Sequence, residues 1–346
     1  MATFLKWRGA IVADMRVRQA IVQALSDEMS EDPNVILFGE DIAAAEGPFK
    51  TSEGLLDKFG PERVRDTPIS EMAFTGAAVG AAMMGMRPVI EIMFMEFLGV
   101  ALDQLVTEAA KMHYLSHGEY SVPMVVRASN ASGLGFGSQH SQTLENWVVA
   151  TPGLKVVTLS DAQSAYSLLR AAIREPNPVM FLEPRILYAE RGPVDTSIKL
   201  EIGKARLIQG GNDVTMVAMG NMVNVAKQAA KQSSLSCEII DLSTLVPWDR
   251  QTVLASVKKT KRLIVVEEAP LSGGWGSEIV AEVTSNLFTE LIAPPIRITT
   301  PDTPVPFSGV LEAKFTPAPD DVTRQLKYLV ETNQAPKPWW VMAGLH

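Results

Sequence analysis

Arg63-Val-Arg-Asp-Thr-Pro-Ile-Ser-Glu71 reads as a strand that stops at Pro68 and hands the chain to a helix with a carboxylate at its mouth. Pro68 has no amide to give to a sheet ladder, so the extended run ends there. Thr75 to Met86 follows, dominated by Ala, Gly and Met, a composition that suits a helix packed too closely for large side chains. Arg87 to Met93 is the next strand.

Upstream, Met15 to Met29 carries apolar residues at helical spacing, and Asn34 to Phe38 is a largely apolar run ending at Gly39. Downstream, a helix is expected over about Leu98 to Tyr114. Val122 to Arg127, Lys155 to Thr158 and Val179 to Leu182 are near-continuous apolar strands, with a helix near Ala162 to Arg174 between the last two. Strands apolar on both faces belong to a sheet covered on both sides, hence a mainly parallel one. Glu183 to Asp213 breaks the rhythm with Pro184, Gly192, Pro193, Gly203, Gly210 and Gly211. Beyond it come strands at Val214 to Met219, Cys237 to Asp241, Leu263 to Glu267 and Ile296 to Thr299. Helices at Val223 to Gln232, Arg250 to Lys258, Gly276 to Phe288 and Asp321 to Glu331 alternate with them. The expected organisation is an N-terminal extension over 1–14, an α/β domain over 15–185, a linker over 186–212 and a second α/β domain over 213–346.

A chain of 346 residues exceeds what one ordinary core needs, and its 47% hydrophobic content is enough for two. Cys237 is the only cysteine, which excludes a disulfide framework and a multi-cysteine metal site and fits a reducing compartment. The longest apolar stretches, such as Val122 to Val126, are strand-sized, far below the roughly 20 residues that span a bilayer. A formal charge of −8 without a clustered Lys/Arg stripe argues against a nucleic-acid partner or an anionic membrane surface. The same charge gives no help with an anionic cofactor, so a diphosphate would have to be neutralised by a metal ion or by another chain. Met1 to Asp14 has neither a signal peptide's apolar stretch nor a transit peptide's length, and a cytoplasmic location is expected from it.

Four stretches carry candidate chemistry. Glu71 is either a first-turn residue favoured by the helix dipole or a carboxylate aimed at a ligand lying at the strand ends. Asn130-Ala-Ser-Gly-Leu-Gly-Phe-Gly-Ser-Gln-His140 is a glycine-rich loop after a buried strand. Ser138 stands where a dinucleotide fingerprint needs its third glycine and no helix opens there, so a nicotinamide or flavin site is rejected. His140 is then an exposed loop residue, or a catalytic group on a mobile loop. Glu91-Ile-Met-Phe-Met-Glu-Phe97 alternates as a strand with one face in the core, and Phe97 at its exit alternatively walls a flat heterocycle. Ser272-Gly-Gly-Trp-Gly-Ser277 resembles an anion-cradling turn but lacks the lysine of a nucleotide loop, and a structural or subunit-contact turn is favoured.

Taken in order, Gly39-Glu40-Asp41, Asp66-Thr-Pro-Ile-Ser-Glu71, Gln139-His140-Ser141-Gln142, Pro152-Gly-Leu-Lys-Val156 and Asn177-Pro178 resemble beta subunits of thiamine-diphosphate-dependent 2-oxo acid dehydrogenases. The likeness runs from about Met15 to the last helix. It implies a transketolase-like α/β fold, with a pyrimidine-binding domain over 15–185 and a carboxy-terminal domain over 213–346. It also implies a heterotetramer of two alpha and two beta chains with thiamine diphosphate lying between chains. By this resemblance Glu71 matches the glutamate that hydrogen-bonds the aminopyrimidine ring nitrogen, Phe97 the aromatic packed on the pyrimidine, and Glu40 a carboxylate between paired sites. His140 matches the histidine that assists acyl transfer to the lipoyl group of an acyltransferase. Met124, Ala172, Ile173, Glu175 and Asn177 match a site for a structural monovalent cation, K+, with Glu175 standing where the pyruvate enzymes carry an aspartate. The Gly-Asp-Gly and distant Asn that hold Mg2+ and the diphosphate in this superfamily are absent here, and the resemblance implies that the alpha subunit supplies them.

The substrate strings are mixed. Cys237 to Leu242, Pro247-Trp-Asp249 and Glu268 to Gly274 look like branched-chain enzymes, whereas Met93 to Phe97 and Asp302 to Phe307 look like acetoin and pyruvate types. Three rivals stand beside this reading: a two-chain transketolase-like enzyme passing a two-carbon unit to a non-lipoyl acceptor, a non-catalytic scaffold for an alpha chain, and an electron-transferring nucleotide-binding α/β protein, which lacks a usable phosphate loop here.

Overall fold

The computed structural model describes residues 12–342. Its strands are β1 (Val12–Arg16), β2 (Val35–Gly39), β3 (Val64–Asp66), β4 (Arg87–Ile92), β5 (Val125–Asn130), β6 (Lys155–Thr158), β7 (Val179–Pro184), β8 (Arg191–Asp195), β9 (Arg206–Gln209), β10 (Val214–Ala218), β11 (Cys237–Asp241), β12 (Thr244–Val246), β13 (Leu263–Pro270) and β14 (Ile296–Thr300). A seven-stranded sheet runs β12-β6-β7-β5-β4-β2-β3 and a five-stranded one β14-β13-β10-β11-β9. All pairings are parallel except the edge pairs β12 with β6 and β9 with β11, and the separate ribbon β1 with β8. This is the transketolase-like two-domain α/β arrangement expected.

Parallel strands need crossovers, and helices supply them on both faces. One face of the larger sheet packs Val35, Leu37, Val89 and Phe181 against helices Val17–Glu31 and Ala162–Arg174, through Ile21, Leu25, Tyr166 and Leu169. Its other face shares one core with the smaller sheet: Ile90, Val126 and Met180 belong to the same apolar cluster as Val217, Ile240 and Val265. The second domain is thus welded to the face opposite that covered by Val17–Glu31. A third core, under helices Asn221–Ser233 and Pro319–Thr332, covers the far side of the smaller sheet.

Several expectations are corrected. The stretch 186–212, expected as a linker, contains β8 and β9, each bonded into a sheet, because Arg191–Asp195 and Arg206–Gln209 offer extended runs between their turns. Val12 to Asp14 of the expected extension belong to β1, and residues 1–11 lie outside the described residues. Thr244–Val246, from the second half of the chain, joins the edge of the first sheet. The Ala/Gly helix is Glu71–Met83, so it starts at the carboxylate itself. A Cβ on its Gly76 would stand 2.8 Å from Gln104 Oε1, which is the close approach expected, yet Ala73, Ala77 and Gly80 are exposed. Leu98 to Leu115 is one helical path interrupted by a π-helical segment over Asp103–Ala109. Cys237 is a buried thiol that burial pushes up to about 11, an inert state. Among the described residues no helix is long and apolar enough to cross a membrane.

Candidate active site

The register brings Gly39 beside both Asp66 and Glu91, and Asn130 beside Pro184, so the carboxyl ends of β2, β3, β4, β5 and β7 form one edge. That edge is where open α/β sheets take ligands. Glu40 leaves it after β2, Glu71 after β3, Phe97 after β4 and His140 in the loop after β5. Gly39 is required there, because a Cβ would stand 2.6 Å from the Glu91 carbonyl oxygen.

Asp66 sets the segment after Glu40 by accepting from the amides of Ala43 at 2.7 Å and Ala44 at 3.1 Å. Glu40 is buried, and its Oε1 has no hydrogen-bond partner among the described residues. Burial, reinforced by the charges of Glu71 and Asp41, pushes its carboxyl up to about 6. Glu71, only 7% exposed, heads the helix Glu71–Met83. Glu71 is thus a first-turn residue and also a buried carboxylate whose charge acts on Glu40. A buried, unpartnered carboxylate oxygen calls for a donor, and a ligand bearing N–H groups is one.

Beside the carboxylates stands an aromatic wall. The His140 imidazole meets the Phe94 ring edge-on at 4.7 Å and the Phe97 ring at 5.4 Å between centroids. His140 is half-buried. Arg185, at the end of β7, fixes the loop from beneath: its Nη2 donates to the carbonyls of Ala131, at 2.7 Å, and of His140. The guanidinium lies over Phe94 at 5.0 Å and Phe136 at 5.3 Å, a cation on aromatic faces. Burial lowers the pKa of Arg185 and raises that of Glu96, whose Oε1 accepts from the Gln142 amide at 2.6 Å.

Not every candidate belongs here. Glu91 points into the sheet, where fully buried Arg127 bridges it at 2.7 Å to Glu183 at 2.7 Å. In the turn 272–277, the Ser272 amide donates to Asp302 at 2.8 Å and the Gly276 amide to Glu267 at 3.0 Å. Carboxylates already fill the place of an anion, so the turn is structural.

The cation set lies away from this edge and does not fit a monovalent ion. Arg87 Nη1 donates to the Ile173 carbonyl at 2.9 Å and the Glu175 carbonyl at 3.4 Å, bringing its own positive charge. The Met124 carbonyl accepts from the Val179 amide and the Ala172 carbonyl from the Glu175 amide. The Glu175 carboxylate pairs with Lys155 at 2.7 Å and accepts from Asn177 at 2.9 Å. The Arg87 guanidinium thus serves two of the five residues that the resemblance assigned to a cation.

Sequence reasoning missed Arg185. It directly follows an apolar strand at the ligand-binding edge, the same signal that marks Glu71, but the Pro- and Gly-rich run after it reads as a domain boundary. It also missed Asp66 as the organiser of the Glu40 segment.

A transketolase pyrimidine-binding domain model matches residues 13–191 and a transketolase C-terminal domain model residues 203–322. The chain is 46% identical over 326 residues to the mitochondrial pyruvate dehydrogenase E1 component subunit beta-2 of Oryza sativa subsp. japonica, covering 92% of this chain and 87% of that one. It is 44% identical over 322 residues to the mitochondrial subunit beta-1 of Arabidopsis thaliana, covering 91% and 89%. With the mitochondrial subunit beta of Saccharomyces cerevisiae it shares 41% over 322 residues, covering 90% and 88%. Among solved structures it resembles a split gene transketolase, inactive beta4 tetramer, with a TM-score of 0.75 at 23% identity, covering 92% of this chain and 99% of that one. A transketolase from Leishmania mexicana gives 0.71 at 19%, covering 96% and 48%. These two likenesses show the fold alone. The cytoplasmic location expected from the sequence is corrected by the three relatives, which are mitochondrial proteins. The opening segment on which that expectation rested says nothing about where the chain works.

Proposed function

Since the chain belongs to the family of pyruvate dehydrogenase E1 beta subunits, the thiamine-diphosphate-dependent 2-oxo acid dehydrogenases, we propose that it holds the pyrimidine half of an active site completed by an alpha subunit, with pyruvate as substrate. The observation that carries this reading is the pair Glu40 and Glu71 at the strand ends, with the Glu40 Oε1 atom buried and unpartnered beside the Phe94, Phe97 and His140 wall. These residues fit the aminopyrimidine of the cofactor, a flat ring that brings N–H donors. When bound, thiamine diphosphate supplies the electron sink for loss of carbon dioxide.

With the cofactor bound, Glu71 would be the hydrogen-bonding partner of the pyrimidine ring nitrogen and the group that moves a proton at that atom. Phe97 would exclude water from the ring, and the unpartnered Glu40 Oε1 would accept from a donor on it. Residues 15–185 take the pyrimidine, and the described residues of the second domain, 213–342, brace that domain through the shared core. Among the described residues no cluster of three or more His, Cys, Asp or Glu could hold a metal ion, and with a charge of −8 the grip on Mg2+ and diphosphate falls to the alpha chain.

Acyl transfer to a lipoyl acyltransferase is the second half-reaction. The acyl carbon is oxidised by two electrons as it forms a bond to one dithiolane sulfur; the sulfur–sulfur bond breaks and takes those electrons. The other sulfur leaves as a thiolate and needs one proton, which His140 donates at the open face of the wall.

Calorimetry tests the half-site reading. The purified chain alone should bind thiamine diphosphate weakly and turn nothing over, and the chain reconstituted with its alpha partner should bind it tightly and decarboxylate pyruvate. Tight Mg2+-dependent binding by the chain alone would sink it.

A further inference from the structure

The loop that carries His140 is held mostly by the other domain. Ala131, Gly133, Gly135 and Gly137 all have left-handed backbones, with φ of 81°, 98°, 76° and 74°. That alternation turns successive amides to one side. Waiting there is Glu312, 3% exposed, from the second domain: its Oε1 accepts from the Gly133 amide at 2.9 Å and its Oε2 from the Gly135 amide at 2.8 Å. Glu268, at the end of β13, accepts from the Ser132 amide and hydroxyl, each at 2.8 Å. Ser138 Oγ donates to the Val305 carbonyl at 2.6 Å. The first domain adds the Arg185 bonds and the Glu96 bond to Gln142.

We propose that Glu312 is a positioning residue for acyl transfer: by clamping the Gly133 and Gly135 amides from the second domain, it fixes the loop that presents His140 beside Phe94 and Phe97. The proposal rests on the reading of His140 as proton donor to the departing thiolate. Both oxygens of one carboxylate are committed, one to each amide, and charge-assisted bonds of this kind are roughly twice as strong as neutral ones. Among the described residues none of these loop bonds reaches Glu40 or Glu71, so transfer depends on the clamp more than decarboxylation does. Misplacement of a donor by about 1 Å is enough to cost up to about 10²-fold in rate, and Glu312 holds two of the loop's four left-handed positions, Gly133 and Gly135.

Glu312→Gln in the reconstituted alpha–beta complex tests this, since an amide group has one acceptor and sets its NH2 against a second N–H. Decarboxylation read with an artificial electron acceptor should stay within about 2-fold, while kcat for lipoyl-domain acylation falls about 10-fold with little change in KM. Amide exchange over residues 131–142 should quicken by about 10-fold or more. Glu312→Asp, one methylene short but with both acceptors, should fall between the two and serves where the glutamine variant does not assemble. An equal fall in both half-reactions, or faster exchange with both rates intact, overturns the proposal. His140→Ala run in parallel separates the two readings. If His140→Ala splits the half-reactions and neither Glu312 variant does, the positioning role alone fails. If His140→Ala leaves acylation intact, the proton-donor reading fails, and the positioning role for transfer falls with it.

Discussion

The imidazole of His140 and the ring of Phe97 stand edge to face with their centroids 5.4 Å apart, although they arise from different strand exits. The packing aims the imidazole along the wall that Phe97 forms. His140→Ala should therefore slow acylation of a lipoyl domain by about 10²-fold more than it slows decarboxylation, the scale of a lost general acid. The two rates are measured on one reconstituted complex, with a lipoyl domain and with an artificial electron acceptor. Equal slowing would make His140 a substrate-positioning residue instead.

Glu71→Gln should leave assembly intact and lower decarboxylation by about 10²-fold or more, because an amide cannot hold and release the proton. Near-normal turnover would reduce Glu71 to the head of its helix. The variant also removes the charge that, after burial, most raises the Glu40 carboxyl, so cofactor binding should lose part of any dependence on pH near 6.

Arg87 makes a prediction that departs from the family resemblance. Its guanidinium already serves the Ile173 and Glu175 carbonyls, so the thermal midpoint should not respond to exchanging K+ for a bulky organic cation at constant ionic strength. Arg87→Ala should cost about 1–3 kcal/mol through carbonyls left unsatisfied and should recover part of it when K+ is added. A K+-dependent midpoint in the unsubstituted chain would restore the ion to this loop.

Local patterns carried most of the fold and about half of the site. Apolar strands such as Val179 to Leu182 and helices such as Ala162–Arg174 declare themselves because burial on a face repeats at a fixed period. Thr244–Val246 did not, since three residues at a sheet edge show no period, and their partner Lys155–Thr158 lies far away in the chain. Glu71 and His140 were visible because each breaks a local pattern at a strand exit. Arg185 and Glu312 work through long-range bonds, to His140 and to Gly133, which no local pattern encodes.

Glu145 offers a stability test away from the chemistry. Burial, followed by the charges of Glu268 and Glu267, pushes its carboxyl up to about 8, while Asn130 Nδ2 donates to its Oε1 at 3.1 Å and Oε2 has no partner among the described residues. Its folded value lies above the ordinary 4.5, so the sign of the linkage is negative with rising pH. Below that ordinary value both states carry the proton and Glu145 contributes nothing to pH dependence. As pH rises toward about 8, the unfolded chain gives up the proton and the folded chain keeps it, so stability falls through this window and levels off above it. Glu145→Gln keeps an acceptor for Asn130 and removes the titration. The substituted complex should therefore gain on the order of 1–3 kcal/mol over the unsubstituted one near pH 8, discounted for relaxation, and lose that advantage toward pH 5. Thermal midpoints of both complexes from pH 5 to pH 9 decide it, and parallel curves would mean that Glu145 is ionised in the folded protein.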